Sequence, residues 1–282
     1  MRMSTSYLQR YDHMCDHAAA QVIARYSTSF SLSTRLLAAP MRRDIRNLYA
    51  MVRIADEIVD GSALAADVDP AATLDAYEAQ ILAAPHIRFH TDPIVHAYAN
   101  TARRCKFTPE YIESFFTSMR SDLTHTVYTA SDVDTYVYGS AEVIGLLCLE
   151  AFLIDANVTP SSRSTLESGA RALGSAFQKV NFLRDFGEDR DRLGRVYYEL
   201  TAEKKDAIVA EIREELAQAN HAIALLPRSA RTAVAATSGL FEELTDIADA
   251  TPVEELAATR ISVPTTHKLR ITAKALARGG SR

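Results

Sequence analysis

Two short acidic stretches constrain this chain more than any other feature, because each requires a helix that tolerates like charges on one face. Asp56 and Asp60 lie four residues apart, and so do Asp185 and Asp189. Four residues are about one helical turn, so each pair shares a face. Like charges at that spacing cost a surface helix roughly 0.2–0.5 kcal/mol per pair, and a buried face costs far more unless a cation compensates. The pattern predicts two helices that bind a divalent metal and a polyanion.

The same helical faces carry further polar groups. Tyr49 and Arg53 share the face of the first pair, Gln178 and Asn181 share that of the second, and Arg184 lies one position off it. Mg²⁺ prefers oxygen ligands and commonly uses one or two carboxylates plus substrate phosphates, while arginine holds the remaining oxygens. The pattern therefore favours diphosphate chemistry. Two surface helices with internal ion pairs are the alternative interpretation.

A third pair, Asp12 and Asp16, repeats the spacing beside two histidines and a thiol. His13, Cys15 and His17 cannot converge on one metal ion, because residue 15 lies about 200° around a helix from residue 13. We predict a solvated helix face here.

Composition and pattern predict an all-α fold. The chain has 282 residues, of which 48% are apolar and 24% charged, with only ten glycines and nine prolines. So few turn-forming residues argue against an all-β chain and against disorder. No linker or repeat divides the sequence, so we predict one domain over 1–282 with frayed ends at 1–7 and 279–282. The net charge of −5 gives no indication of a nucleic-acid partner.

Helical periodicity and capping signals predict about ten or eleven helices. They cover roughly 8–25, 40–60, 70–83, 92–105, 109–122, 132–155, 161–190, 201–223, 228–248, 253–259 and 263–278. The segments 61–70 and 190–199, each following an acidic motif, are predicted as loops that act as flaps over the acidic face.

The three cysteines are widely separated, which predicts a reducing cytoplasm and no disulfide framework. The N-terminus shows no signal-peptide pattern, and no uninterrupted apolar run reaches 18 residues. We predict a cytoplasmic protein, with peripheral membrane association left open. The sequence leaves the oligomeric state undetermined.

The residues of the acidic motifs and their surroundings resemble the squalene and phytoene synthases, which join prenyl diphosphates head to head. The likeness looks closest to bacterial, particularly actinobacterial, phytoene synthases. The segments that carry it are 26–30, 42–49, 53–60, 116–122, 178–189 and 194–197.

The resemblance implies an isoprenoid-synthase fold in which the two acidic motifs face each other across the mouth of a central cavity. The metal ligands that it implies are Asp56, Asp60, Asn181, Asp185 and Asp189. It implies catalytic roles for Asp56, Asp60, Asp185, Asp189, Arg53 and Tyr49. The implied diphosphate-binding residues are Tyr26, Ser27, Thr28, Ser29, Tyr49, Arg53, Gln178 and Arg184, with Tyr197 reaching in from the second flap.

The implied reaction joins two C20 geranylgeranyl diphosphates through a cyclopropyl diphosphate to give phytoene, with Mg²⁺, or Mn²⁺ in its place, and no nicotinamide. Two alternatives stay open. One is a C30 synthase that uses farnesyl diphosphate and gives dehydrosqualene or squalene, the latter with a nicotinamide. The other is a non-catalytic relative that acts in assembly or binding, which retention of all four aspartates disfavours.

Two departures from the family pattern concern the cavity wall and the second flap. Glu142 stands where many relatives carry a glycine that lets helices approach or kink, which leaves the form of the cavity wall there open. The connection from Asp189 to Tyr197 is about one residue longer than is usual, which leaves the role of Tyr197 open. Four aromatic residues are candidates for stabilising cations in the cavity or for plain core packing: Phe30, Phe116, Tyr136 and Phe182.

Overall fold

The computed structural model describes residues 6–279, and their regular structure is helical. The helices are α1 Tyr7–Tyr26, α2 Thr28–Thr34, α3 Ala39–Val59, α4 Ser62–Ala65, α5 Pro70–Ala83, α6 Pro93–Cys105, α7 Pro109–Ser121, α8 Ala130–Val137, α9 Val143–Leu153, α10 Pro160–Arg184, α11 Phe186–Glu188, α12 Ala202–Ile223, α13 Arg228–Ala250, α14 Val253–Ala258 and α15 Thr265–Gly279. Two π-helical segments, Tyr138–Glu142 and Asp189–Leu193, and a 3₁₀ turn, Ala84–His86, complete the order. Extended pairing within these residues is limited to a parallel bridge between Val127 and Val196.

Local capping chemistry fixes many helix starts. Ser6 begins α1 with a capping box that it shares with Gln9. Helices α5, α6, α7 and α10 each have proline in the first turn, where its missing N–H costs nothing. The predicted starts of these helices are confirmed to within one residue.

Two apolar clusters flank the cavity. One is built mainly from α3 and α5 to α9 and contains the fully buried Phe115 and Phe116. The other joins α10, α12 and α13 around Ile212 and Leu240. Helix α10 approaches the π segment closely: a Cβ on Gly174 would lie 2.4 Å from the carbonyl oxygen of Ala141. The helices that line the cavity are therefore held by dense packing behind them.

One run of described residues, Ala130–Leu153, is long and apolar enough to cross a bilayer. Most of its apolar window is buried inside the protein, as in core helices of globular proteins.

Several predicted elements differ from the structure. The predicted helix 132–155 is interrupted by the π segment, where Gly139 packs so closely that a Cβ would lie 2.4 Å from the carbonyl oxygen of Ser114. The predicted helix 161–190 ends at Arg184, because Asp185 leaves helical geometry at φ −104° and ψ 8°. Helix α2 was not expected, and α4 lies inside a predicted loop. Of the termini predicted to fray, 1–5 and 280–282 fall outside the described residues, while Tyr7 and Gly279 end helices.

Candidate active site

A cavity of about 1170 Å³ runs between α3 and α10, with the two acidic motifs at its mouth. All the predicted site residues line it except Ser29, whose side chain lies outside the described part of the chain. These residues are Tyr26, Ser27, Thr28, Tyr49, Arg53, Asp56, Asp60, Gln178, Asn181, Arg184, Asp185, Asp189 and Tyr197. The structure therefore brings together side chains that the sequence placed on two separate helices.

Helix α3 forms the first rim. The Arg53 guanidinium binds Glu57, lies 3.8 Å from Asp56 and stacks 4.4 Å above the centre of the Tyr26 ring. Asp60 caps the C-terminus of the helix, and Arg195 Nη1 donates to its carboxylate at 2.9 Å. Neither partner of these two residues, Glu57 or Arg195, was assigned a role from the sequence.

The second rim is formed where α10 ends. The helix breaks at Asp185, yet the amide of Asp189 still donates to the carbonyl of Asp185 at 2.9 Å, so the one-turn spacing of the two aspartates survives. Asp185 accepts from Arg184 Nε at 2.9 Å and from Arg260 Nε at 2.7 Å. Arg260 comes from the segment between α14 and α15, and sequence reasoning missed it.

Burial and neighbouring carboxylates both disfavour the charged forms of Asp56 and Asp189. Burial, followed by the charge on Asp60, raises the pKa of Asp56 to about 7. Burial and the charge on Asp185 raise the pKa of Asp189 to about 7, and Asp60 and Asp122 add to the effect. Because the charge on Asp60 contributes to the raised pKa of Asp189, carboxylates of the two rims are close enough to interact. A bound cation would relieve this repulsion.

A buried acid that the sequence did not reveal as a site residue anchors the segment that follows the second acidic motif. Asp122 accepts hydrogen bonds from the hydroxyls of Tyr128 and Tyr136, both at 2.9 Å, and from Tyr197 at 3.1 Å. Arg195 Nη1 lies 3.6 Å from it. Asp122 thus fixes the segment that carries Arg195 and Tyr197 against helix α7.

Tyr197 lines the cavity but does not project freely into it. Its ring is 7% exposed and stacks on Phe182 with centroids 4.1 Å apart, while its hydroxyl donates to Asp122. Through these contacts Tyr197 fixes its segment against the core and forms part of the cavity wall. Phe30 and Tyr136 also line the cavity, whereas Phe116 packs in the core and lies outside the lining.

Glu142 lies outside the cavity lining. Its side chain turns outward and accepts from Arg171 Nε at 2.6 Å. The neighbouring Ser140 and Ala141 form the wall instead. Residue 142 is the last residue of the π segment and takes no part in the cavity lining.

The donors at the mouth fit a hard cation. They are carboxylates together with the amide oxygen of Asn181, a buried atom with no hydrogen-bond partner. Among residues 6–279, no three acidic, histidine or cysteine side chains stand close enough to enclose an ion by themselves. Oxygen donors of this kind are the ligands that hard divalent cations prefer.

The pair Asp12 and Asp16 is not the solvated face predicted from the sequence. His96 Nε2 lies 2.7 Å from Asp12 Oδ1 and is completely buried, and Asn47 Nδ2 donates to Asp16 Oδ1 at 2.9 Å. The pair fastens α1 to α3 and α6.

Comparison with known proteins identifies the family. The model of the squalene/phytoene synthase family matches residues 23–198. The chain belongs to the squalene/phytoene synthase family. Phytoene synthase 1 of Arabidopsis thaliana, a chloroplast protein, is 36% identical over 181 residues, which are 63% of this chain and 41% of the plant protein. The 15-cis-phytoene synthase of Synechococcus elongatus is 32% identical over 209 residues, which are 71% of this chain and 62% of the relative.

Solved structures place the fold of this family member. A dehydrosqualene synthase superimposes with a TM-score of 0.79 at 19% identity, over 98% of this chain and all of that one. A squalene synthase of Alicyclobacillus acidocaldarius superimposes with a TM-score of 0.72 at 19% identity, over 90% of this chain and 97% of that one. The isoprenoid-synthase fold is thereby confirmed. The chain spans about half the length of the curated relatives that it matches, and the actinobacterial likeness stays a prediction.

Proposed function

We propose that this protein is a phytoene synthase, which condenses two geranylgeranyl diphosphates head to head through a cyclopropyl diphosphate and releases diphosphate, in carotenoid biosynthesis. The carrying observation is the meeting of the two acidic motifs at the mouth of a largely apolar cavity. Likeness to phytoene synthases from a plant and a cyanobacterium supports this choice of product.

The carboxylates of Asp56, Asp60, Asp185 and Asp189, with the amide of Asn181, would hold Mg²⁺, or Mn²⁺ in its place. The bound ion supplies positive charge that stabilises the departing diphosphate. Arg53 and Arg184 flank this position and would bind the remaining diphosphate oxygens.

The Tyr26–Ser29 segment, Tyr49 and Gln178 would orient the diphosphate head. Tyr49 is held neutral, because burial raises the pKa of its hydroxyl to about 12, so it can donate a hydrogen bond. Tyr197 acts through the flap and the cavity wall.

Deeper in the cavity the lining becomes apolar, which suits the prenyl chains. Phe30, Leu48 and Phe177 are among the residues there. Such a lining excludes water from a carbocation, and the faces of Phe30, Tyr136 and Phe182 would stabilise its charge. The cavity of about 1170 Å³ exceeds the 300–1,000 Å³ that is usual for small-molecule sites, which favours two long chains over one short ligand.

Product analysis tests the proposal. The purified protein would be incubated with geranylgeranyl or farnesyl diphosphate, with and without Mg²⁺ and NADPH, and the hydrocarbons identified by mass spectrometry. Phytoene from the C20 substrate, without NADPH, is the expected product. Dehydrosqualene or squalene from the C15 substrate alone would assign a C30 synthase, and no product from folded protein would assign a non-catalytic relative.

We also propose peripheral contact with a membrane, because the product is a hydrocarbon.

A further inference from the structure

Three arginines stand together near the start of helix α3. Arg42 and Arg46 lie one turn apart on that helix, and Arg35 is the C-cap of α2, four residues before α3 begins. Within residues 6–279 none of the three side chains has an ion pair or a hydrogen bond. Two other arginines of α3, Arg43 and Arg53, do meet carboxylates. The three guanidinium groups therefore lie together without a compensating negative charge.

Arg46 is the most constrained member of this cluster. Its Nε atom is buried and has no hydrogen-bond partner. Burial, followed by the positive charges on Arg42 and Arg35, lowers the pKa of its guanidinium group. A buried donor without an acceptor is costly, and so are neighbouring like charges. An anion placed among the three side chains would relieve both costs.

The acidic side chains on the adjoining turns of α3 and α1 have other partners. Asp44 is buried and accepts from Arg104 Nε at 3.3 Å and from the Thr101 hydroxyl at 3.0 Å. Asp16 of α1 accepts from Asn47 Nδ2 at 2.9 Å. These two carboxylates therefore do not neutralise the cluster.

Two long helices also begin beside the cluster. The amide of Ala38, the N-cap of α3, donates to the carbonyl of Ser229 in the first turn of α13 at 3.3 Å. No side chain caps either helix at its N-cap residue, Ala38 or Pro227. Arg228 starts α13 and has no ion pair in the described part of the chain. The positive ends of the two helix dipoles therefore add to the field of the arginines.

The cluster is separate from the acidic motifs. Arg46 precedes Asp56 by ten residues, which is about 15 Å along a helix. Arg35, Arg42 and Arg46 are all absent from the lining of the cavity. A ligand bound to these arginines would therefore be distinct from a diphosphate held at the cavity mouth.

We propose that Arg35, Arg42 and Arg46 form a second anion site, outside the cavity, which binds a multiply charged phosphate group. Guanidinium groups make paired, charge-assisted hydrogen bonds to phosphate oxygens, and three of them match an anion that carries two or more charges. Inorganic diphosphate and the triphosphate of a nucleotide share this chemistry. The inference does not rest on the proposed function, because none of these arginines belongs to the candidate active site.

Calorimetric titration in excess chelator tests the inference, because the acidic motifs then lack the metal through which they would hold a diphosphate. Full-length protein would be titrated with inorganic phosphate, diphosphate and ATP. We expect diphosphate and ATP to bind more tightly than phosphate, and salt to weaken both. The stronger of the two identifies the source of the phosphate group. Arg42→Gln/Arg46→Gln should weaken binding at least about tenfold, and Arg35→Gln about threefold or more.

Arg10→Gln is the matched control, because Arg10 is an exposed arginine of α1 that also lacks an ion pair within residues 6–279. It should bind these anions like the unmodified protein. Melting temperatures in anion-free buffer check folding, and Arg42→Gln/Arg46→Gln should melt no lower than the unmodified protein, since it removes like charges. If that double variant does not fold, the titration of Arg35→Gln decides.

Arg53→Gln reports on the cavity mouth. Binding that is lost in Arg53→Gln and kept in Arg42→Gln/Arg46→Gln would place the anion at the mouth and overturn the inference. Unmodified protein that binds none of the anions would overturn it as well. So would binding that is equally strong in the unmodified protein and in the folded double variant.

Discussion

Asp12 and Asp16 lie four residues apart on α1, and Asp56 and Asp60 lie four residues apart at the end of α3, where Asp60 is the C-cap; the two pairs have opposite surroundings. Asp12 accepts hydrogen bonds from the side chains of His96 and Asn100, and Asp16 accepts one from Asn47. Asp56 instead faces further carboxylates, with Arg53 as its nearest cation. Spacing alone therefore does not define a site. What distinguishes the second pair is that it lies in the lining of a cavity, with further carboxylates beside Asp56.

We expect the largest effect from variants that remove a carboxylate of the acidic motifs. Asp56→Ala or Asp185→Ala should lower the rate of product formation at least about a hundredfold, because a carboxylate that would hold the metal is lost. The rate would be measured with geranylgeranyl diphosphate, and far-UV circular dichroism should remain unchanged. If either variant keeps more than about a tenth of the activity, the role proposed for that residue is wrong.

Removing the divalent ion should have an effect nearly as large, and a reversible one. Excess chelator should abolish turnover, and added Mg²⁺ or Mn²⁺ should restore it. Diphosphate should raise the melting temperature only when the metal is present, because each completes the binding site of the other. Full turnover in chelator would exclude the metal from the chemistry.

The sequence predicted the residues of each rim, because a regular helix turns linear spacing into a shared face. Tyr49, Arg53 and Asp56 need only local geometry to align. It missed Asp122, because that carboxylate acquires its role from Tyr128 and Tyr197 in segments that only the fold brings together.

The same limit applies to the backbone. Caps and periodicity predicted α5 at its observed bounds, since both signals are local. They could not predict the π segment Tyr138–Glu142, which is set by how closely Gly139 approaches α7. Nor could they predict the end of α10 at Asp185, which pairs with the distant Arg260.

Asp122 combines features of the two pairs. Like Asp12 it accepts several hydrogen bonds, but it lies at the candidate active site. Asp122→Asn removes the charge next to Arg195 and weakens the three tyrosine hydrogen bonds, so the flap should loosen. We expect turnover to fall roughly tenfold, in line with the worth of hydrogen bonds to a charged group. Faster proteolysis within 190–198 should accompany the loss. A slower enzyme with unchanged proteolysis would place Asp122 in a different role.

Asp12→Ala should have the smallest effect on turnover and a measurable one on stability. The change leaves the ring nitrogen Nε2 of His96 without its carboxylate partner in a fully buried position. We expect the free energy of unfolding, measured in urea, to fall by about 1–3 kcal/mol. Turnover per folded molecule should stay within about twofold of the unmodified protein, since the pair lies outside the cavity lining. The distinction between the two pairs would be wrong if folded Asp12→Ala lost as much turnover as Asp56→Ala. Two aspartates four residues apart would then have the same function whether or not neighbouring side chains donate hydrogen bonds to them.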